Sequence, residues 1–496
     1  MNFCGLDVGT SGVKAVVFDE TGKIIAQAEG PYVLELKSDG TRTLEAADLW
    51  EKTKTVLRAV AASTNGQIDA VAVSSFGEAF VCLDENDKEI SEVMLFTDQR
   101  GEKEYFEAMK RSSDLEIAQV CGLPPSMTYS ISKILYLKEN RQEIYKKTKR
   151  MLLIEDFVNY RLTGLAVGDH SVACRTMLFD VHKREWSSTL FEKFDVDKSK
   201  FSQMVYTGTV IGTLRKEAAK QTGLPENLKV IAGGHDQPMA AVGAGAGIYG
   251  TVCGMGTSEC MTPVFRGAIP AEVTLESCMS SEPMWADDIY CSLAYNVTSG
   301  LSIKWFYDVF ASESAKPPYA LFEENLPKKP TKIMVQPYAM GSGTPYNDHK
   351  ARFAIIGTDA GTTRYDIYKA VMEGLALDGR LNRDALKTGS VEVDGLVCVG
   401  GGAQSRPWLQ IKADVLQAEV KTLECKEAGA LGCAIVCATA LGCYDSIEQA
   451  GGAMSRIKDT FEPDKSNKAF YDEKYELYKQ LHGDLAKYSG FAARLG

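Results

Sequence analysis

At 496 residues the chain is longer than one hydrophobic core usually supports, so two domains are expected. Hydrophobic content of 45% with 24% charged residues is that of a soluble globular fold. The net charge of −11 excludes a general nucleic-acid binder, which needs clustered Lys and Arg, but not a small anionic ligand, which a few backbone N–H groups can hold.

In chain order, 3–7, 14–19 and 24–28 read as three short strands joined by "GTSG" and "ETG" turns, an antiparallel meander. A helix is predicted over 46–62, then strands at 70–75 and 79–84. The stretch 101–165 is mostly helical, and "LKVIAGG" near 228–234 is a strand ending in glycines. The pattern then restarts. "GTVCGMGTSECMTPV" (250–264) is again strand, small-residue turn, strand. The stretch 391–420 reads strand, glycine turn, helix, and 427–442 is a small-residue helix. A duplicated α/β architecture with a cleft between the halves 1–245 and 246–496 follows. "GAGIYG" (245–250) matches G-x-G-x-x-G in form only. It follows a helical run and precedes a strand, the reverse of a dinucleotide fingerprint, and reads as a linker.

The thirteen cysteines include no C-x-x-C and sit in apolar runs such as "GCAIVCATALGC". Reduced core cysteines in a cytoplasmic protein are expected, not a disulfide framework. The five histidines are scattered, with no H-E-x-x-H, so no zinc site is expected. Neither a signal peptide nor a run of about 18 apolar residues is seen, so no membrane span is expected.

Three small-residue turns carry the chemistry. In "LDVGTSGVK", Gly9 lets backbone N–H groups approach phosphate oxygens, Thr10 and Ser11 add hydroxyls, and Lys14 could reach a terminal phosphate. Asp7 would repel phosphate unless a cation lay between them, which points to Mg²⁺ held through water. A plain hairpin capped by the acid is the other reading of the same letters. "GMGTSEC" supplies a second turn, with Gly256, Thr257 and Ser258. "VGGGAQS" supplies a third, with Gly400, Gly401, Gly402 and Ala403, against which a base or ribose could lie. In "IAGGHDQPMAAVG", Asp236 follows a strand and two glycines. Phosphoryl transfer needs positioning, charge stabilisation and a carboxylate to take the proton of the attacking hydroxyl, and an ionised Asp can do this. Capping the next helix is a compatible second role.

These motifs resemble the FGGY family of carbohydrate kinases, over nearly the whole chain. The resemblance implies two ribonuclease-H-like domains of the actin/hexokinase/Hsp70 type flanking a cleft, ATP and Mg²⁺ as cofactors, and a small sugar as partner. It allows a homodimer. Asp7, Gly9 and Thr10 resemble the first phosphate motif; Gly256, Thr257 and Ser258 the second. Gly400–Ser405 with "RPWLQIKAD" is similar to the adenosine motif in its xylulokinase form, and "TTRYDIYKAVMEGLA" (362–376) to the C-terminal signature. Gly300 is carried over as an ATP-site glycine, Asp236 as the base, and Asp7 and Asp236 as the metal carboxylates.

The substrate stretches resemble the family less closely. Where xylulokinases read Gln-Met-His and glycerol kinases Gln-Arg-Glu, this chain has Phe76, Gly77 and Glu78. Glu78 and Gln237 are glycerol-kinase-like, and Gly77 has no side chain. "FTDQR" resembles the segment near the sugar, with Phe96 in place of a Trp and Asp98 kept; "YSISK" carries Lys133. As an acceptor-only group, ionised Glu78 would bind vicinal hydroxyls and repel an acidic sugar. A salt-bridged structural carboxylate is its other reading, and a structural role is expected for His235. The implied activity is ATP-dependent phosphorylation of a terminal hydroxyl of a small sugar, a ketose such as a pentulose, with a linear polyol as alternative. Outside that class stand a sugar-independent ATPase and a sugar sensor on the same fold.

Overall fold

The computed structural model describes residues 1–36, 42–310 and 319–492. Two six-stranded sheets organise it. The first contains β1 (Asn2–Val8), β2 (Gly12–Asp19), β3 (Ile24–Pro31), β4 (Ala70–Ser75), β5 (Val210–Thr213) and β6 (Lys229–His235), in the order β5-β6-β4-β1-β2-β3. The second contains β7 (Thr251–Met255), β8 (Glu259–Thr262), β9 (Ala294–Asn296), β10 (Gly395–Val399), β11 (Glu419–Leu423) and β12 (Ile457–Phe461), in the order β9-β8-β7-β10-β11-β12.

The two sheets repeat one pattern. β1, β2 and β3 form an antiparallel meander, β4 and β6 then add in parallel, and β5 closes the edge antiparallel. In the second sheet β7, β8 and β9 are antiparallel, β10 and β11 add in parallel, and β12 is the antiparallel edge. The central strand β4 reads "AVAVSS" and is buried at every position, as a parallel strand covered on both faces must be.

Six helices matter here: α1 (Ala46–Ser63), α2 (Asp236–Gly243), α3 (Ser299–Phe310), α4 (Arg364–Thr388), α5 (Arg406–Leu416) and α6 (Ala428–Ala440). α2 and α6 pack on each other between the sheets. One hydrophobic core there joins Phe3, Val16 and Ile231 to Met239, Val252 and Ile435. Small residues allow this approach. A Cβ at Gly432 would overlap the Met239 carbonyl, and one at Gly243 would overlap the Ala428 carbonyl. The "GAGIYG" stretch lies between α2 and β7, where helix gives way to strand. All thirteen cysteines are free. No helix among the described residues is long and apolar enough to cross a membrane.

Candidate active site

The parallel core of the first sheet sets one end of the site. β1, β4 and β6 lie side by side, so Asp7 is registered with Ser74, and Ser75 with His235. The C-terminal ends of parallel strands are where ligands bind in open α/β sheets. Asp236 follows at once as the first residue of α2. The Ser74 hydroxyl donates to Asp7 Oδ1 at 2.9 Å. Burial, and the nearby charge of Asp236, push the Asp7 carboxyl up to about 6. Asp236 is raised as well, by burial first and against the pull of His235. A carboxylate near the end of β1 and one at the start of α2 thus come close, and the charge of Asp236 disfavours the ionised form of Asp7.

Both hairpin turns are closed by backbone bonds. Gly9 N–H donates to the Gly12 carbonyl and Gly256 N–H to the Ser258 carbonyl, each at 2.9 Å. Ser11, Gly256, Thr257 and Ser258 are exposed, and Gly9 and Thr10 are half-buried. The second turn is held from behind. Gly300 N–H donates to the Gly256 carbonyl at 3.0 Å, and a Cβ at Gly300 would overlap that carbonyl. Glu259, one residue beyond the turn, accepts from Ser299 Oγ at 2.9 Å and is ion-paired with the fully buried Lys412 of α5. At the third turn, Gly400 has φ of 89°, a left-handed conformation that glycine tolerates. Gly402 wedges between Met255 and Trp408, while Gly401 faces open space. A cavity of about 170 Å³ opens beside Gly400, Ala403, Gln404 and Glu424.

Lys14 is already engaged. It lies opposite Asp7 on β2, and its ammonium is 2.9 Å from both carboxylate oxygens of Glu427, just before α6. Gln237, next after Asp236, places its Oε1 over Gly254 of β7.

The other end of the site is a buried charge network. Glu78 sits in a left-handed backbone conformation, φ 63°, which costs a non-glycine residue about 1–2 kcal/mol. Arg175 donates from Nε to Glu78 Oε1 at 2.6 Å, adds a second bond from Nη2, and donates from Nη1 to Glu282 Oε1 at 2.7 Å. Glu282 Oε2 is 3.2 Å from His235 Nδ1, and His235 Nε2 is 3.2 Å from Asp236 Oδ1. Burial alone would lower the His235 imidazole, yet the two carboxylates on its nitrogens hold it above the usual value. Burial would raise Glu282, yet Arg175 and His235 hold it below. Asp98 is buried and held by Arg100 at 2.6 Å. Lys133 is fully buried and donates to the backbone carbonyls of Met127, Thr128 and Tyr129. Burial pulls its ammonium down to about 8, against the opposing charges of Glu78 and Asp98.

The structure thus brings Asp7, Glu78 and Asp236 close enough that Asp236 acts on the Asp7 carboxyl and Glu78 on that of Asp236. Sequence reasoning missed Ser74, Arg175 and Glu282. Only Ser74 left a signal, as the strand-end residue in register with Asp7.

No metal-sized cluster of three or more His, Cys, Asp or Glu side chains occurs among the described residues. The oxygen-only pair Asp7 and Asp236 fits a hard divalent cation that takes its other ligands from phosphate and water. A family model for the N-terminal domain of FGGY carbohydrate kinases matches residues 3–243, and one for the C-terminal domain matches 245–441. A xylulose kinase of Bacillus subtilis (strain 168) is 27% identical over 484 residues, covering 96% of each chain. Solved structures of a gluconate kinase and of a xylulose kinase from Lactobacillus acidophilus each superpose with a TM-score of 0.89 at 20% identity, covering 98% of each chain. At that identity they show the two-domain actin/hexokinase-type fold, and their differing acceptors leave the sugar open. With both family models matched along most of its length, the chain belongs to the FGGY family of carbohydrate kinases and is a sugar kinase.

Proposed function

We propose that the chain transfers the γ-phosphoryl group of ATP to a terminal hydroxyl of a small neutral sugar, a ketose of the pentulose class. Residues 1–245 would supply the sugar site, the first phosphate turn and the base; residues 246–496 would supply the second phosphate turn and the adenosine turn. The observation that carries the reading is the convergence of Asp7 and Asp236 at the end of the first sheet, with Gln237, next after Asp236, lying over Gly254 of the second hairpin. Asp236 is the base and takes the proton of the attacking hydroxyl. Mg²⁺ brought with the nucleotide would be held by Asp7 and Asp236, through water, and would supply charge neutralisation at the phosphates. Backbone N–H groups of the two turns bind phosphate oxygens, and Gly400–Ala403 carry the adenosine. Closure of the cleft excludes water, which would otherwise compete for the phosphoryl group.

The xylulose kinase relative supports the pentulose class. A linear polyol is the second reading. The Arg175–Glu78 pair favours it, because vicinal hydroxyls next to a donor and an acceptor need no carbonyl. The test is Asp236→Asn, with turnover and sugar binding measured separately. Turnover is expected to fall by at least about a hundredfold while sugar affinity changes little. Retained turnover would remove Asp236 from its role.

A further inference from the structure

Arg175 closes the short helix His170–Cys174, which docks on the end of β6 through a 2.8 Å bond from the His235 backbone N–H to Ser171 Oγ. Its guanidinium is fixed on every side. It lies 4.8 Å from the centre of the Tyr129 ring and bridges Glu78 of the N-terminal half to Glu282 of the C-terminal half. The space it fills is the one left by Gly77. A Cβ there would stand 3.2 Å from Arg175 Cγ and 3.2 Å from the His235 ring. Gly77 is therefore small because Arg175 comes in from a segment 98 residues further along the chain (175 − 77).

A guanidinium has five N–H groups in a rigid fork. Three are spent, one each from Nε and Nη2 on Glu78 Oε1 and one from Nη1 on Glu282 Oε1, which leaves one on Nη1 and one on Nη2. Both bonds to Glu78 go to Oε1, and Oε2 receives neither. The pair thus presents N–H donors beside a carboxylate acceptor, two residues of a hydrogen-bond chain away from Asp236. We infer that Arg175 is a specificity-determining residue: with Glu78 it reads two adjacent hydroxyls of the acceptor, one as donor and one as acceptor, in a position that a side chain at residue 77 would crowd. The inference rests on the sugar-kinase reading above and names what recognises the sugar within it.

The experiment measures KM for acceptor and for ATP, with kcat, in wild type, Arg175→Lys, Arg175→Met and Gly77→Ala. The acceptors are D-xylulose, D-ribulose, glycerol, erythritol and gluconate. Thermal stabilisation of each protein by each acceptor is measured in parallel. For the best acceptor, Arg175→Met is expected to raise acceptor KM by about tenfold or more, the scale of hydrogen bonds to a charged group. ATP KM stays within about twofold. Gly77→Ala is expected to do the same in smaller measure, and Arg175→Lys, which keeps the charge and loses the fork, to recover only part. Arg175→Met leaves Glu282 and Glu78 without their partner, which destabilises the fold; where that variant does not fold, Gly77→Ala and Arg175→Lys carry the decision. Unchanged acceptor KM in both, with wild type active, overturns the inference and leaves the kinase standing. An equal rise in acceptor and ATP KM also overturns it, since that marks a structural role only. A wild type that neither phosphorylates nor is stabilised by any acceptor overturns the kinase reading and this inference together.

Discussion

At the scale of single residues, the site is built from carboxylates held in unlike surroundings. Asp7 and Asp236 face each other at strand ends, whereas Glu78 and Glu282 are neutralised by one guanidinium. A third kind is structural. Asp156 lies fully buried on the helix Ile154–Thr163, and burial pushes its carboxyl up to about 6 from an ordinary 3.8. The native chain therefore holds a proton there that the unfolded chain has released. The stabilisation from that proton is complete below about pH 4 and is lost as pH rises through 6. Asp156→Asn removes the loss. It is expected to raise stability near pH 7.5 by up to about 3 kcal/mol, for a carboxyl moved about two units, and the melting temperature with it, with the gain fading by pH 4–5. Thermal unfolding of both proteins at several pH values checks this, and a gain independent of pH would contradict it. The contiguous residues of the site were legible because each sits in a turn whose small residues are themselves the signal. Asp7, Thr10, Thr257 and Asp236 are of this kind. Arg175 was not, because its partners lie 97 and 107 residues away and an ion pair leaves no periodicity in a sequence. The partner of Lys14 was hidden for the same reason: Glu427 is 413 residues distant.

At the scale of elements, backbones pressed together decide what a substitution does. Gly300, the second residue of α3, abuts the Gly256 carbonyl, so a Cβ must move the second hairpin turn. Gly300→Ala is expected to raise KM for ATP by about tenfold and to leave acceptor KM nearly unchanged, if that turn holds phosphate. Steady-state kinetics with each substrate varied in turn measures this; an effect confined to the acceptor would contradict it. Gly432 is mid-helix in α6, where propensity alone favours Ala by about 1 kcal/mol. The Met239 carbonyl reverses the sign, and Gly432→Ala is expected to cost about 1–3 kcal/mol by overpacking. Differential scanning calorimetry would show the loss, and a stabilised variant would contradict the α2–α6 packing. The helix reading of 427–442 and the strand–turn–strand readings at both turns agree with the structure because each is a continuous run of apolar or small residues bounded by turn residues. The sequence could not show that α6 lies against β1 and α2, since small residues mark a close approach without naming the neighbour.

At the scale of the whole molecule, two sheets of the same order and polarity carry one Gly-Thr-Ser turn each, and the buried Arg175–Glu282 pair ties a segment of one half to a segment of the other. The repeat was legible from the second Gly-Thr-Ser turn. The cross-connection was not, because strands Val264–Arg266, Glu282–Pro283 and Ile289–Cys291 form a small sheet of their own that reads as ordinary alternation. On the function proposed, a sugar kinase differs from an ATPase of the same fold in what it does without acceptor: it should hold ATP unproductively until an acceptor binds.

That expectation is tested most directly by ADP release with Mg²⁺–ATP, with and without each of a panel of ketopentoses, ketohexoses, linear polyols, aldoses and aldonates. The account predicts slow release alone and a rise of at least about a hundredfold with one neutral acceptor, a pentulose ahead of a polyol, and no such rise in Asp236→Asn. Rapid release without any acceptor, unchanged by all of them, would contradict it.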